Sequence, residues 1–199
     1  MLQVNEDLRI ESLHRLKVLD TPADSVIDGL VEVAASVCDV PISLISLVDT
    51  DRQWFKANVG LPDITETPRE VAFCSHAIES DDLLEISDAT ADPRFSSNSL
   101  VTGDPDIRFY AGHPLRLSNG ANVGTLCVID RVPRELNRSQ RDILASLANA
   151  AVQILEARHL NEQLLASEAR FRSLCENLHR SEQFLAQTGR VANVGGVGV

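Results

Sequence analysis

The chain of 199 residues is 44% hydrophobic and 24% charged, enough to bury the core of one domain with an appendage, and its composition is not collagen-like, disordered or that of a disulfide scaffold. Acidic residues outnumber basic ones by 29 to 18, for a formal charge of −11, and the lysines are Lys17 and Lys56. So acidic a body repels nucleic-acid phosphates and anionic lipid headgroups, so no nucleic acid and no membrane contact is expected of this segment.

The first ten residues mix Asn5, Glu6, Asp7 and Arg9 among apolar ones, without the basic start and unbroken apolar run of a signal peptide. No stretch approaches the roughly 20 apolar residues that span a bilayer. Cys38, Cys74, Cys127 and Cys175 are scattered, with no C-x-x-C pair, a usage that suits reduced thiols. The expected location is the cytoplasm.

Leu8, Ile10, Leu13, Leu16 and Leu19 lie at helical spacing and predict a helix over 7–19, stopped by Asp20-Thr21-Pro22. A second helix is predicted over 25–38, with Val26, Leu30, Val33, Ala34 and Val37 on one face and Pro41 closing it. The branched run 42–48 reads as a buried strand, turned by Asp49-Thr50-Asp51 into a second strand over 53–57. Residues 62–69 hold two prolines and read as a loop, followed by a short helix over 71–78 and a strand over 83–86. Asp, Pro, Ser and Asn crowd 88–108, an irregular segment of the kind that covers a binding site. Strands over 109–117 and 123–129 flank Ser118-Asn119-Gly120, a tight-turn signal.

Pro133 stops the sheet and Asn137 offers a cap to a helical pattern that runs unbroken to about Leu185, roughly 70 Å at 1.5 Å per residue. From Ala157 a heptad places Ala157, Leu164, Phe171 and Leu178 at one seam position and Leu160, Ser167, Leu174 and Ser181 at the other. An apolar stripe of this kind cannot stay dry alone. The expected partner is therefore a second copy, a homodimer joined through Leu160, Leu164, Phe171, Leu174 and Leu178, with two serines weakening the seam.

These elements make an α+β architecture: a central antiparallel sheet of five to six strands with flanking helices and a long C-terminal helix of coiled-coil type. Arg52-Gln53-Trp54-Phe55-Lys56-Ala57, Ala72-Phe73-Cys74-Ser75-His76-Ala77-Ile78, Asp92-Pro93-Arg94-Phe95, Arg108-Phe109-Tyr110-Ala111-Gly112 and Gly124-Thr125-Leu126-Cys127-Val128-Ile129-Asp130 resemble, in this order, the GAF domain family. The branch they resemble stands at the front of bacterial sensor histidine kinases and diguanylate cyclases. Beyond it, 181–196 resembles the opening of a PAS domain, with Val197 where family members usually place Trp. The organisation read from this is an N-terminal helix at 1–20, the GAF domain at 21–158, a signalling helix at 159–185, and the truncated start of a PAS domain or a disordered tail at 186–199.

The resemblance implies a non-catalytic sensory or dimerising module that binds a small molecule and passes a signal along its last helix to an output domain, a histidine kinase or diguanylate cyclase, outside this chain. The Asn-Lys-x-x-x-Phe-x-x-x-Asp-Glu signature of the family's nucleotide-binding branch is absent, and Ser75 separates Cys74 from His76 where a bilin-binding Cys would be followed directly by His. Neither cyclic nucleotide nor chromophore is expected, and no cofactor is assigned. There is no Gly-rich phosphate loop, G-x-S-x-G or H-E-x-x-H motif. The alternative is a thiol-based redox sensor, or an enzyme like the methionine sulfoxide reductases that share the fold, using Cys74 and Cys127.

Ligand-binding candidates are Trp54, Phe55, Cys74, His76, Arg94, Phe95, Arg108, Tyr110 and Cys127. Trp54 and Phe55 are neighbours on a strand, so one ring points to each face and at most one faces the ligand. Cys74 is either a buried structural thiol or, near His76, a redox thiol or metal ligand. Zinc would need Cys74, His76, His113 and Cys127 to converge without any local pair to nucleate the site. Arg94 and Arg108 either clamp an anion or pair with Asp88, Asp92 or Asp106 to hold the irregular segment.

Overall fold

A computed structural model describes the backbone of residues 2–194 and the side chains of 6–181. Its elements are α1 (Leu2–Arg15), α2 (Ser25–Cys38), β1 (Ile42–Val48), β2 (Arg52–Val59), β3 (Glu66–Pro68), α3 (Phe73–Ala77), β4 (Leu84–Ile86), α4 (Ser99–Thr102), β5 (Phe109–Arg116), β6 (Asn122–Asp130) and α5 (Arg138–Val194). Two compact units divide between Glu156 and Ala157.

In the first unit the strands form one antiparallel sheet in the order β3-β2-β1-β6-β5-β4. All seven residues of β1 and all nine of β6 are buried, because both faces of the sheet are covered. Successive side chains alternate between two cores. Ile45, Leu47, Leu126 and Val128 join Leu13, Ile27, Val31, Leu144 and Leu155 beneath α1, α2 and the start of α5. Ile42, Leu44, Cys127 and Ile129 join Phe73, Phe95, Val101 and Ile107 beneath α3 and the irregular segment. Gly124 lets β6 approach β1, since a Cβ there would strike the Ser46 carbonyl.

The helix ends follow local chemistry. Asp24 caps α2 by accepting from Val26 and Ile27 N–H at 3.0 and 3.4 Å, and Asp39 closes it in the left-handed region with φ 52°. At the start of α5, Asn137 Oδ1 accepts from Gln140 N–H at 3.0 Å while Gln140 Oε1 accepts from Asn137 N–H at 2.9 Å, a reciprocal capping box. Glu85 of β4 receives Leu136 N–H and the Arg141 guanidinium, tying the sheet edge to this turn.

Four elements differ from the sequence expectation, among them the short helix α4 inside the segment read as irregular. The first helix ends at Arg15 rather than Leu19, because Leu16 and Lys17 turn back onto Leu13 and His14 carbonyls and Lys17 takes φ 53°. The proline-rich loop over 62–69 contains β3, a three-residue edge strand whose position at the rim tolerates Pro68. The last helix continues past Leu185 to Val194, since a lone Gly189 costs a helix only about 1 kcal/mol. The PAS-like or loose segment expected over 186–199 is thus helical to Val194, and 195–199 lie outside the described residues. In the second unit Leu160, Leu164, Phe171, Leu174 and Leu178 are all more than half exposed.

Helix α1 is pinned by charge. Arg9, 6% exposed, donates to the Val48 carbonyl and to Glu6, and Arg69 reaches the same Glu6 carboxylate at 2.7 Å. The hydrogen bonds from Arg9, opposed by partial burial and reinforced by Arg69, lower the Glu6 pKa from 4.5 to about 2. The ionised form therefore stabilises the fold above pH 4.5, and that contribution is lost as pH falls toward 2. Melting temperatures of wild type and Glu6→Gln should differ at neutral pH and converge across this window; a gap that stays constant would refute the clamp.

Candidate functional site

The second core, between the sheet and the segment from Leu61 to Ile107, holds the polar and sulfur groups that the apolar face cannot leave alone. Tyr110 of β5 is fully buried, and its hydroxyl donates to Cys74 Sγ at 3.3 Å. Thr125 of β6 donates to the same sulfur at 3.0 Å and lies 3.2 Å from the Ser46 hydroxyl of β1. Cys127 Sγ sits 3.9 Å from Cys74 Sγ. Gly112 makes this possible, because any Cβ there would collide with the Tyr110 hydroxyl lying over it. Phe73 stacks on Phe95 with ring centroids 4.2 Å apart and tilts against Tyr110 at 5.2 Å, fixing α3 over the sheet.

The thiols differ in chemistry as well as position. Burial pushes the Cys74 thiol up, but hydrogen bonds from Cys127, Ser46, Thr125 and Tyr110 outweigh it and hold the thiol below its ordinary value. The Cys74 bond and then burial drive Cys127 the other way, and burial raises Tyr110, so both keep their protons. Cys38, the last residue of α2 and buried in the opposite core without such donors, is raised to about 11 by burial alone.

Beside Cys74 lies a narrow apolar cavity of about 40 Å³, walled by Phe55, Phe73, Leu100, Ile107 and Ile129 among others. Two polar groups border it. Gln53, 5% exposed, and its cross-strand neighbour Thr67 leave Oε1 and Oγ1 buried without a hydrogen-bond partner.

Of the residues expected from sequence, Phe55 and Cys74 line the cavity, Phe95 and Tyr110 back its wall, and Cys127 stands behind Cys74. Others do not reach it. Trp54 points to the opposite core, as strand alternation requires, with Lys56 Nζ 5.9 Å from its ring. His76 is exposed and packs edge-on against Phe95 at 5.0 Å, because the fourth residue of a short helix over the sheet turns outward. Arg94 pairs with Asp92 at 2.6 Å and lies over the Phe95 ring, while Arg108 pairs with Asp106 and donates to the carbonyls of Val101 and Ile107. Both arginines brace the irregular segment. With His76 outside and the His113 ring against the Pro114 carbonyl, Cys74 and Cys127 gain no imidazole partner for zinc.

Sequence reasoning missed Gln53 and Thr67. Gln53 was within reach, since a residue two before Phe55 shares its face. Thr67 was hidden by reading β3 as a loop.

A GAF domain profile matches residues 22–155, so the chain belongs to the GAF family. A protein of Pseudomonas aeruginosa named a cyclic di-GMP phosphodiesterase is 48% identical over 130 residues, 65% of this chain and 22% of the relative. The chain thus spans about a fifth of that relative's length. Among solved structures, the GAF domain of Thermosynechococcus elongatus PixJ superposes with a TM-score of 0.58 at 17% identity, covering 72% of this chain and 90% of that one. The GAF domain of an Acinetobacter phosphoenolpyruvate-protein phosphotransferase gives 0.57 at 16%, covering 78% and 98%. The type II free methionine-R-sulfoxide reductase of Thermoplasma acidophilum gives 0.55 at 15%, covering 67% and 92%. At these identities the likeness is one of fold.

Because Gly112 is the space the Tyr110 ring occupies, Gly112→Ala should displace the hydroxyl from Cys74 and cost about 1–3 kcal/mol of stability in urea unfolding. An unchanged midpoint would show that Tyr110 does not depend on that space.

Proposed function

We propose that this GAF module is a sensor: it takes a small, mainly apolar molecule carrying a hydrogen-bond donor into the cavity beside Gln53 and Thr67, dimerises through the heptad stripe of its second unit, and controls an output domain. The observation that carries the reading is the pair of buried, unpartnered polar atoms, Gln53 Oε1 and Thr67 Oγ1, on an otherwise apolar wall. A buried acceptor without a donor costs roughly 1–3 kcal/mol, and a donor on an incoming molecule removes that cost. The cavity is narrow as it stands, so occupancy requires the irregular roof to shift outward, and that shift is the signal.

The exposed stripe at Leu160, Leu164, Phe171, Leu174 and Leu178 supports a helical homodimer, in which Ser167 and Ser181 weaken the seam enough for it to change register or rotation. The P. aeruginosa relative is named for action on cyclic di-GMP, so a phosphodiesterase joins a kinase or a cyclase as the output such a sensor would govern. Among the described residues no helix is long and apolar enough to cross a membrane, which accords with work in the cytoplasm.

Native mass spectrometry of freshly purified protein should show extra mass that is lost on denaturation and absent from Gln53→Leu; wild-type protein at its bare mass would overturn the ligand reading. For the dimer, replacing Leu164 and Phe171 by Glu should convert a dimeric light-scattering mass to a monomeric one while circular dichroism of the GAF unit is kept. Ser167→Cys should cross-link with itself on oxidation if the helices are parallel and in register. A double Glu variant that remains dimeric would move the interface elsewhere.

A further inference from the structure

Cys74 and Cys127 form a buried dithiol whose two sulfurs have different surroundings. Cys74 borders the narrow cavity, whereas Cys127 lies behind it, 3.9 Å away and outside the cavity lining. At about 40 Å³ the cavity holds roughly one or two molecules the size of water. Hydrogen peroxide is uncharged and of that size. The cavity walls are apolar apart from Gln53 and Thr67, neither of them charged, so charged oxidants and bulky thiols are kept from the sulfur while the roof stays closed.

We propose that Cys74 and Cys127 are a peroxide-oxidised pair, Cys74 the sulfur that meets the oxidant and Cys127 the thiol that resolves it. In the first step the Cys74 sulfur attacks one peroxide oxygen. An S–O bond forms, the O–O bond breaks, and the second oxygen leaves as water with the Cys74 proton, giving a sulfenic acid. In the second, the Cys127 sulfur attacks the sulfenic sulfur, the S–S bond forms, and the S–O oxygen leaves as a second water with the Cys127 proton. Two thiols are oxidised to one disulfide, and one peroxide is reduced to two waters.

The surroundings favour this direction. The Tyr110 and Thr125 hydroxyls donate to Cys74 Sγ at 3.3 and 3.0 Å, stabilising negative charge on the attacking sulfur. Together with the hydrogen bonds from Cys127 and Ser46, these donors keep Cys74 the more acidic thiol of the pair. Closing the gap from 3.9 Å to a bond of about 2.05 Å asks for a movement within reach of side-chain rotation. Because Cys74 belongs to α3 and Cys127 to β6, the disulfide would draw the roof helix onto the sheet. The chemistry requires neither the sensor's ligand nor its dimer, so it stands or falls apart from them.

The chain carries its own reference thiol, the exposed Cys175. Reduced full-length chain is exposed to hydrogen peroxide for increasing times, quenched, alkylated in guanidinium chloride and digested with trypsin. The expected product joins peptides 70–94 and 117–131 through Cys74 and Cys127, about 2 Da lighter than the sum of the two reduced peptides, and it accumulates before Cys175 is consumed. Oxidation of Cys175 while Cys74 and Cys127 still take up alkylating agent would overturn the proposal. Tyr110→Phe should slow the cross-link about tenfold in folded protein and leave its rate unchanged in guanidinium-unfolded protein. Equal rates in the folded proteins would remove Tyr110 from its role as donor. Cys127→Ser should stop at Cys74 carrying oxygen; a cross-link from Cys74 to another cysteine in that variant would show that Cys127 is not the resolving thiol.

Discussion

Burial of β1 and β6 on both faces is the constraint from which the rest of this domain follows. A strand covered on one side only can send its polar residues to water, but these two have no such side. The polar groups that face the roof therefore bond to each other, Ser46 to Thr125 and Thr125 to Cys74. Tyr110 then has to reach the same place from the neighbouring strand, which only the missing side chain of Gly112 permits. What resembles a reactive cluster is in the first instance the solution to a packing problem, and its acidity follows from the number of donors the solution brings to one sulfur.

The two sides of the sheet are built differently. One is closed by long helices with apolar faces; the other is closed by a segment whose side chains mostly satisfy their own backbone. Asp88, Asp92 and Asn98 each accept from the N–H two residues on, and Arg94 and Arg108 bond within the same stretch. Such a roof presses Phe73, Phe95, Val101 and Ile107 onto the sheet while much of its polar exterior is satisfied within its own stretch. Its stability is local, which lets it move without unfolding the opposite core.

Long periodic segments were legible in the sequence: the second helix, the two central hairpins and the start of the last helix all lie where hydrophobic spacing and turn residues put them. The pairing order was less so, because β3 is three residues long at an edge and carries proline, so it lacks the alternation that marks a strand. For the site, alternation correctly split Trp54 from Phe55, but the meeting of Cys74 with Cys127 joins residues 53 apart through tertiary packing alone. Charge left two readings open for Arg94 and Arg108, a bound anion or a neighbouring Asp, and the coordinates pair them with Asp92 and Asp106.

The capping box at Asn137 and Gln140, tied through Leu136 and Arg141 to Glu85 on the sheet edge, fixes the angular origin of α5. Each residue of an α-helix advances the face by about 100°, so Leu144, Ala148, Ala151 and Leu155, all buried in the first core, inherit their phase from that one turn. One residue inserted between Gln140 and Leu144 would swing these four side chains about a quarter turn away from the sheet, whatever their own apolar character. The root of the helix, as much as the composition of its apolar face, thus decides which side chains the core receives.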